Sequence, residues 1–402
     1  MLKYWCDLLW IIRFLDDFGR GITYVDDKIT FVTGATVGDI VELEVTSRKR
    51  KFNEAVVKRI IRQSELREKP LCPYFSLCGG CVLQNITYDA GISYKSKKVI
   101  DYFKKNNVAI NPIVIDCNQY KYRNKITLKV VNGVIGYYQS KSHKVIKIDS
   151  CVIAKDVINE MISEVAKFNI VNGEIIIRCN ANNDVLISIY SSDLLDVDLK
   201  NISPKIVGIV VNDKTIYKDN YFYERVNGFK FKVSYNSFFQ VNLDVASKLF
   251  KLIDDFIDKD DIVLDLYSGV GTFSLSASKA LRVYGVEIVK NAVLNAKENV
   301  ILNKRENVEF ILSDASAVLD IDFAFNKLIV DPPRAGLNKD VIEFINKKKP
   351  EIIIYVSCDY HTQVRDIKLL ENYEIVKSYI GDMFPFTYHV ECVVVLRYKG
   401  IK

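Results

Sequence analysis

Apolar and polar positions alternate through residues 20 to 60. Gly21-Ile22-Thr23-Tyr24-Val25, Ile29-Thr30-Phe31-Val32 and Asp39-Ile40-Val41-Glu42-Leu43-Glu44-Val45 each put every second side chain on one face. That period predicts short half-buried strands, with Asp26-Asp27 and Gly34 to Gly38 as turns. Residues 87 to 105 read as a helix, and residues 120 to 235 return to short strands separated by Gly, Asn and Asp. From Ile262 the pattern changes. Ile262–Leu266, Val283–Val286, Val308–Leu312, Leu328–Val330 and Ile352–Val356 are unbroken apolar runs suited to buried parallel strands. Helical segments at Ile288–Asn303 and Lys339–Asn346 separate them. The expected architecture is a doubly wound α/β domain over residues 237–402, whose ligands sit at the carboxyl ends of its strands. A β-barrel over 1–62 and a β-rich region over 63–236 precede it, with the segment about 87–116 packing on the last domain.

With 402 residues the chain can hold two or three cores. Three His make His-rich metal sites and most His-based triads poor candidates. Between Arg48 and Lys69 nine Lys/Arg stand against three acids, a local excess equal to the +6 of the whole chain. Such a run reads as the footprint of a polyanion, although for an isolated run a solvated charged face is the more common outcome, and RNA rather than DNA is expected only because other features agree. The apolar run Leu8-Leu9-Trp10-Ile11-Ile12 is bracketed by Asp7 and Arg13 with no small-residue cleavage site after it. No stretch approaches a membrane span. A cytoplasmic monomer with reduced thiols and no membrane partner is expected.

The strand Ile262–Leu266 runs into Tyr267-Ser268-Gly269-Val270-Gly271-Thr272. Gly269 and Gly271 let the backbone turn tightly and approach a ligand. Ser274 stands where a dinucleotide fingerprint needs a third glycine. Glu287 ends the next strand, placed for ribose hydroxyls, and Asp314 follows the third, placed for an adenine amino group. This ordered series describes a class I S-adenosylmethionine site, and a different nucleotide-binding α/β protein would share its glycines. The fourth strand ends in Asp331-Pro332-Pro333-Arg334. Amino-group methylases usually carry an aromatic residue after such a Pro-Pro, so Arg334 argues against an exocyclic nitrogen target. Asp331 is expected to face the methyl donor or the target base.

Carbon 5 of uracil is a poor nucleophile. A thiolate adding to carbon 6 activates it, and a base must then remove the carbon 5 proton. Cys358, after the strand Ile352–Val356 and before a helix, suits the first role, and the helix N-terminus is expected to lower its pKa. A buried structural Cys is the alternative. Glu391, entering the apolar strand Val390–Leu396, suits the second, since burial would raise its pKa toward the useful range. His389 is a weaker candidate for the same role.

Nine Cys, an odd number, argue against a pure disulfide scaffold. Cys72-x5-Cys78-x2-Cys81 with the distant Cys151 offers four thiolates for a cluster or for tetrahedral zinc. The single C-x2-C knuckle favours iron. Cys6, Cys117, Cys179 and Cys392 read as ordinary small hydrophobes.

Gly19-Arg20-Gly21-Ile22 and the stretch from Phe31 to Asp39 resemble the TRAM domain, an OB-like RNA-binding module. Further motifs follow in order: the three clustered cysteines with Gln84, Lys121-Tyr122-Arg123-Asn124-Lys125, Phe238-Phe239-Gln240-Val241-Asn242, the glycine loop, Asp331-Pro-Pro-Arg, Ser357-Cys358 and His389-Val390-Glu391. Together they resemble the RNA (uracil-5-)-methyltransferases, in particular the iron–sulfur-containing 23S ribosomal RNA branch with an N-terminal TRAM domain. The resemblance implies that Gln240, Tyr267, Thr272, Glu287, Asp314 and Asp331 line the methyl donor, that Cys358 is the nucleophile and that Glu391 is the base. It also implies that Cys72, Cys78, Cys81 and Cys151 hold a [4Fe–4S] cluster that organises a central domain. Tyr360 stands where the family commonly has proline. The same chemistry on transfer RNA, or a non-catalytic RNA-binding or ribosome-assembly protein on this fold, are the alternatives.

Overall fold

The computed structural model describes residues 9–193, 197, 199–315 and 323–400. Cys6 lies outside them. The chain divides into two compact units. The first comprises residues up to Lys98 with Tyr137–Ile146 and Phe384–Tyr388, and the second holds the remainder.

In the first unit six strands form one sheet in the order β1-β5-β6-β4-β3-β2. They are β1 (Trp10–Ile11), β2 (Phe14–Leu15), β3 (Gly21–Val25), β4 (Lys28–Thr33), β5 (Ile40–Arg48) and β6 (Phe52–Arg62). The two ends of that order, β1 and β2, are separated in sequence by Ile12 and Arg13 alone, so the sheet curls back on itself. Ile12 closes the curl: its N–H donates to Asp39 O at 2.9 Å, and its side chain packs with Val25, Val32, Val41 and Ala55. Gly21 makes room, because a Cβ there would stand 2.8 Å from Ile12 Cγ2. Four cations of the basic run are already paired: Arg48 with Asp26, Lys58 and Arg59 with Glu42, and Arg67 with the buried Asp39. Lys49, Arg50 and Lys51 form the exposed tip between β5 and β6.

The boundary between units falls inside helix α1 (Tyr88–Lys105). Apart from Tyr137–Ile146, which is grouped with the first unit, a seven-stranded sheet belongs to the second: β8 (Lys125–Val131), β9 (Val134–Tyr138), β10 (Val145–Lys147), β11 (Gly173–Cys179), β12 (Val185–Tyr190), β13 (Ile206–Val211) and β14 (Lys214–Lys218). One face, with Ile126, Leu128, Ile175 and Ile177, is fully buried. Helix α2 (Asp156–Val165) follows β10, and the hairpin β15 (Tyr221–Val226) and β16 (Phe229–Ser234) comes after β14.

The largest core belongs to an eight-stranded sheet. After β7 (Ile113–Ile115) its strands are β17 (Ile262–Leu266), β18 (Arg282–Glu287), β19 (Val308–Leu312), β20 (Lys327–Val330), β21 (Ile352–Ser357), β22 (Tyr373–Gly381) and β23 (Glu391–Tyr398). Their order is β19-β18-β17-β20-β21-β23-β22-β7, with β23 antiparallel to both neighbours. All five expected parallel strands are present within a residue of their predicted ends. Helices α3 (Leu243–Asp254), α4 (Thr272–Ser276), α5 (Lys290–Leu302), α6 (Lys339–Lys348) and α7 (Tyr360–Ile367) connect or flank them. Local chemistry starts several: Asn242, Asn338 and Asp359 cap α3, α6 and α7 with side-chain oxygens. The strand order reverses direction between β17 and β20, which opens a crevice at their carboxyl ends. Among the described residues no helix is long and apolar enough to cross a membrane.

Candidate active site

The crevice begins at β17. Asp265 near its end is fully buried and accepts the Ser274 hydroxyl at 2.5 Å, while its second oxygen has no partner. Burial pushes it up to about 7, with Ser274 opposing and the Asp331 and Glu287 charges adding. Tyr267 then turns with φ +67, Gly269 with φ +56 and Gly271 with φ +87. Gly271 has a second constraint, since a Cβ would lie 2.5 Å from Phe310 Cζ. Among the described residues nothing lies within 4 Å of where a Gly269 Cβ would point. Glu287, the last residue of β18, pins the loop by accepting Gly269 N–H at 3.0 Å and Val289 N–H at 2.7 Å. Asp314 is exposed after β19. Burial, and next the Asp314 charge, push the Tyr267 phenol up to about 12. Gln240 is half-buried in the run leading to α3, its carbonyl accepting Asn124 Nδ2 at 3.0 Å. A glycine cradle, a buried Ser268 hydroxyl with no partner and flanking carboxylates fit the polar, cationic S-adenosylmethionine.

Cys358 and Glu391 meet through strand register. Ser357 of β21 pairs with Cys392 of β23, so the next residue on β21 opposes the preceding one on β23. Glu391 is buried and Cys358 half-buried. Burial, with the Asp331 charge adding, raises the Glu391 carboxyl well above the ordinary carboxylate range. Burial raises Asp331 as well, to about 7. For the Cys358 thiol the helix-terminus expectation fails: burial first, then the Glu391 charge, push it up, against the pull of the neighbouring Arg334 guanidinium. The cause is burial and the carboxylate that β23 brings opposite the thiol, while at the α7 terminus the Asp359 carboxylate accepts His361 and Thr362 N–H.

Arg334, which in the sequence served only to argue against an exocyclic-nitrogen target, lies beside the Cys358 thiol. Its guanidinium lies 3.4 Å from His389 Nδ1, and its carbonyl accepts Thr362 Oγ1 at 3.2 Å. The fully buried Asp366 organises the following turn, accepting Leu337 N–H at 2.8 Å and Tyr355 OH at 2.7 Å. Gln363 ties β21 to β23 by donating to Tyr355 O and Cys392 O. Nothing in the local pattern around Asp366 or Gln363 signals these roles.

Cys72, Cys78 and Cys81 lie in the first unit and Cys151 in the second. Turns closed by their own hydrogen bonds hold them, Cys78 N–H to Tyr74 O at 2.9 Å and Cys151 N–H to Asn159 Oδ1 at 2.8 Å. Among the described residues no three His, Cys, Asp or Glu side chains are grouped closely enough to hold a metal ion. The described residues therefore lend no support to the expected [4Fe–4S] site. Cys179 and Cys392 are fully buried, and Cys117 is half-buried against Asp382 O and Asn242 Nδ2.

A family model described as tRNA (Uracil-5-)-methyltransferase matches residues 188–399, more than half of the chain. The chain belongs to the tRNA (uracil-5-)-methyltransferase family. An uncharacterized RNA methyltransferase of Halalkalibacterium halodurans is 31% identical over 95% of each chain. Another, of Thermotoga maritima, is 32% identical over 94% of this chain and 96% of the relative. The crystal structure of Pyrococcus abyssi tRNA (uracil-54, C5)-methyltransferase in complex with S-adenosyl-L-homocysteine is similar with a TM-score of 0.82 at 27% identity, covering 97% of this chain and 100% of that one. The protein is thus an S-adenosylmethionine-dependent RNA uracil-5-methyltransferase of the class I fold.

Proposed function

We propose that this family member methylates carbon 5 of a uridine through a covalent adduct between Cys358 and carbon 6. The register that sets Cys358 against Glu391, with Asp331 and Arg334 beside them, carries this reading. The Cys358 sulfur bonds to carbon 6 as the ring's double-bond electrons move toward the carbonyl oxygen, and the Arg334 cation stabilises the thiolate. Carbon 5, now electron-rich, takes the methyl group that bound S-adenosylmethionine supplies. Glu391 accepts the carbon 5 proton, the double bond reforms, and the thiolate leaves. Its raised pKa makes Glu391 a stronger base than an exposed carboxylate. Gln240, Tyr267, Gly269, Gly271, Thr272, Glu287, Asp314 and Asp331 are assigned to the methyl donor.

The proposed substrate is 23S ribosomal RNA, read by a TRAM-like OB barrel in the first unit. The curled six-stranded sheet with its basic tip supports that barrel. Transfer RNA is a second reading, because the similar archaeal structure is a transfer-RNA enzyme covered over its whole length, so an N-terminal β-rich part does not exclude it. A [4Fe–4S] cluster rests on cysteine spacing alone, and iron analysis of anaerobically purified protein decides it. No catalytic step depends on it. A cytoplasmic, monomeric enzyme fits thiol chemistry under reducing conditions.

RNA carrying 5-fluorouridine tests the mechanism, since fluorine at carbon 5 blocks release and traps the adduct. A stable complex that Cys358→Ala abolishes is expected. No adduct with wild-type protein under reducing conditions rejects the covalent route.

A further inference from the structure

Outside the catalytic crevice the second unit holds three cations packed together without an acid of their own. Lys125 opens β8 and stands directly across from Arg178 of β11 in the pairing register. Arg123 lies two residues before, its Nε donating to Lys125 O at 2.8 Å. Like charges directly opposite on a sheet destabilise it, and these are not solvated away. Arg178 is buried, and Arg123 and Lys125 are half-buried. The nearest acid is committed elsewhere: Glu174, cross-strand partner of Lys129, is ion-paired with it. Among the described residues the Lys125 ammonium makes no hydrogen bond and no ion pair. Burial first, then Arg178 and Arg123, lower Lys125 to about 8, with only the already paired Glu174 acting the other way.

The cluster is fastened to the Ser234–Asn242 run that carries Gln240. Arg178 donates to Ser234 O at 3.3 Å and Ser237 O at 2.8 Å. Asn124, between the other two cations, donates through its backbone N–H to Val241 O at 3.0 Å and through Nδ2 to Gln240 O at 3.0 Å. Arg123 bridges to Asn242. Between these anchors Phe238 is 70% exposed.

We infer that Arg123, Lys125 and Arg178 form a subsite for a backbone phosphate of the RNA substrate, with Lys125 as its principal ligand. The inference rests on the RNA-methylation reading. A phosphate supplies the anion that the cluster lacks, and guanidinium and ammonium groups are its usual partners. Arg178 and Arg123 stay charged at any working pH, and their carbonyl partners bring no countercharge, which a bound phosphate supplies.

Lys125→Met is the test, because it removes the charge and keeps most of the apolar stem. Binding of a uridine-containing RNA stem-loop should weaken by about tenfold at low salt. The slope of log affinity against log salt should flatten by roughly 0.7 to 0.9, one phosphate's share. Calorimetric binding of S-adenosylhomocysteine should not change, Tm should not fall, and Lys125→Arg should restore RNA affinity. Unchanged RNA affinity and slope overturn the inference. So does weakened S-adenosylhomocysteine binding with RNA unaffected, which hands the cations to the donor's carboxylate. A lowered Tm with a parallel loss of both ligands also overturns it, in favour of a structural lysine. A wild-type protein that forms no fluorouridine adduct yet shows the Lys125-dependent salt slope sinks the covalent mechanism and leaves this subsite standing.

Discussion

Two regions of the second unit collect like charge, and they resolve it differently. At the sheet's catalytic edge Asp331 and Glu391 lie beside Cys358 with Arg334 as the cation, and Asp265 lies beside Asp331. On the seven-stranded sheet Arg123, Lys125 and Arg178 crowd together with no carboxylate to spare. Carboxyl groups relieve crowding by keeping protons, so their pKa values climb toward neutrality and the crevice becomes an acid–base device. Guanidinium groups cannot lose theirs, so the cation cluster is relieved from outside and becomes a binding device. Which residue type is buried decides what the strain is useful for.

The largest expected effect on this contrast lies in the crevice. Glu391→Gln should slow turnover about 10²–10⁴-fold and accumulate a covalent methylated-RNA complex on denaturing gels. Normal turnover in that variant would transfer the base role elsewhere. Arg334→Met removes the one influence pulling the thiol down, so less thiolate forms near neutrality. A loss of about tenfold at pH 7 is expected, with the rising limb of the pH–rate profile moved to higher pH. An unmoved limb would dissociate Arg334 from the thiol.

Stability offers a smaller test. The Asp265 carboxyl is raised in the folded protein, from an ordinary 3.8 to about 7. A raised group stabilises fully below its unfolded value, and that contribution is lost as pH climbs through the folded one. Wild-type stability should therefore decline between about pH 4 and pH 7, by at most about 4 kcal/mol from this group. Asp265→Asn should flatten the decline, read as Tm against pH on protein without ligands. A parallel decline in the variant would remove Asp265 from the account. The smallest effect belongs to cations that were never buried. Replacing Lys49, Arg50 and Lys51 with Gln should weaken RNA binding a few-fold and reduce its salt dependence, leaving Tm within about 0.5 kcal/mol equivalents of wild type. A drop in Tm there would show that exposed and buried cations differ less than argued.

Much of the catalytic sheet was legible because parallel strands buried on both faces must be continuously apolar, as Ile352–Ser357 is. The glycine loop was legible for a similar reason, since few residues tolerate φ near +87 with an aromatic ring at van der Waals contact. The thiol's ionisation was not. Spacing placed Cys358 before a helix, but the opposing carboxylate comes from a strand more than thirty residues later. Asp366 was equally hidden, because an aspartate inside a helical pattern gives no sign that it will anchor the turn carrying Arg334. The four cysteines show the converse: a suggestive spacing at which, among the described residues, no metal-holding group is seen.

Taken by itself, the order of residues determined the strands, the turns and the types of reactive group available, since these depend on neighbours along the chain. The tertiary structure alone decided which charges face one another. Pairing across a sheet joins residues fifty positions apart, as it joins Lys125 to Arg178, and the energy of a buried charge is set by what lies beside it in space.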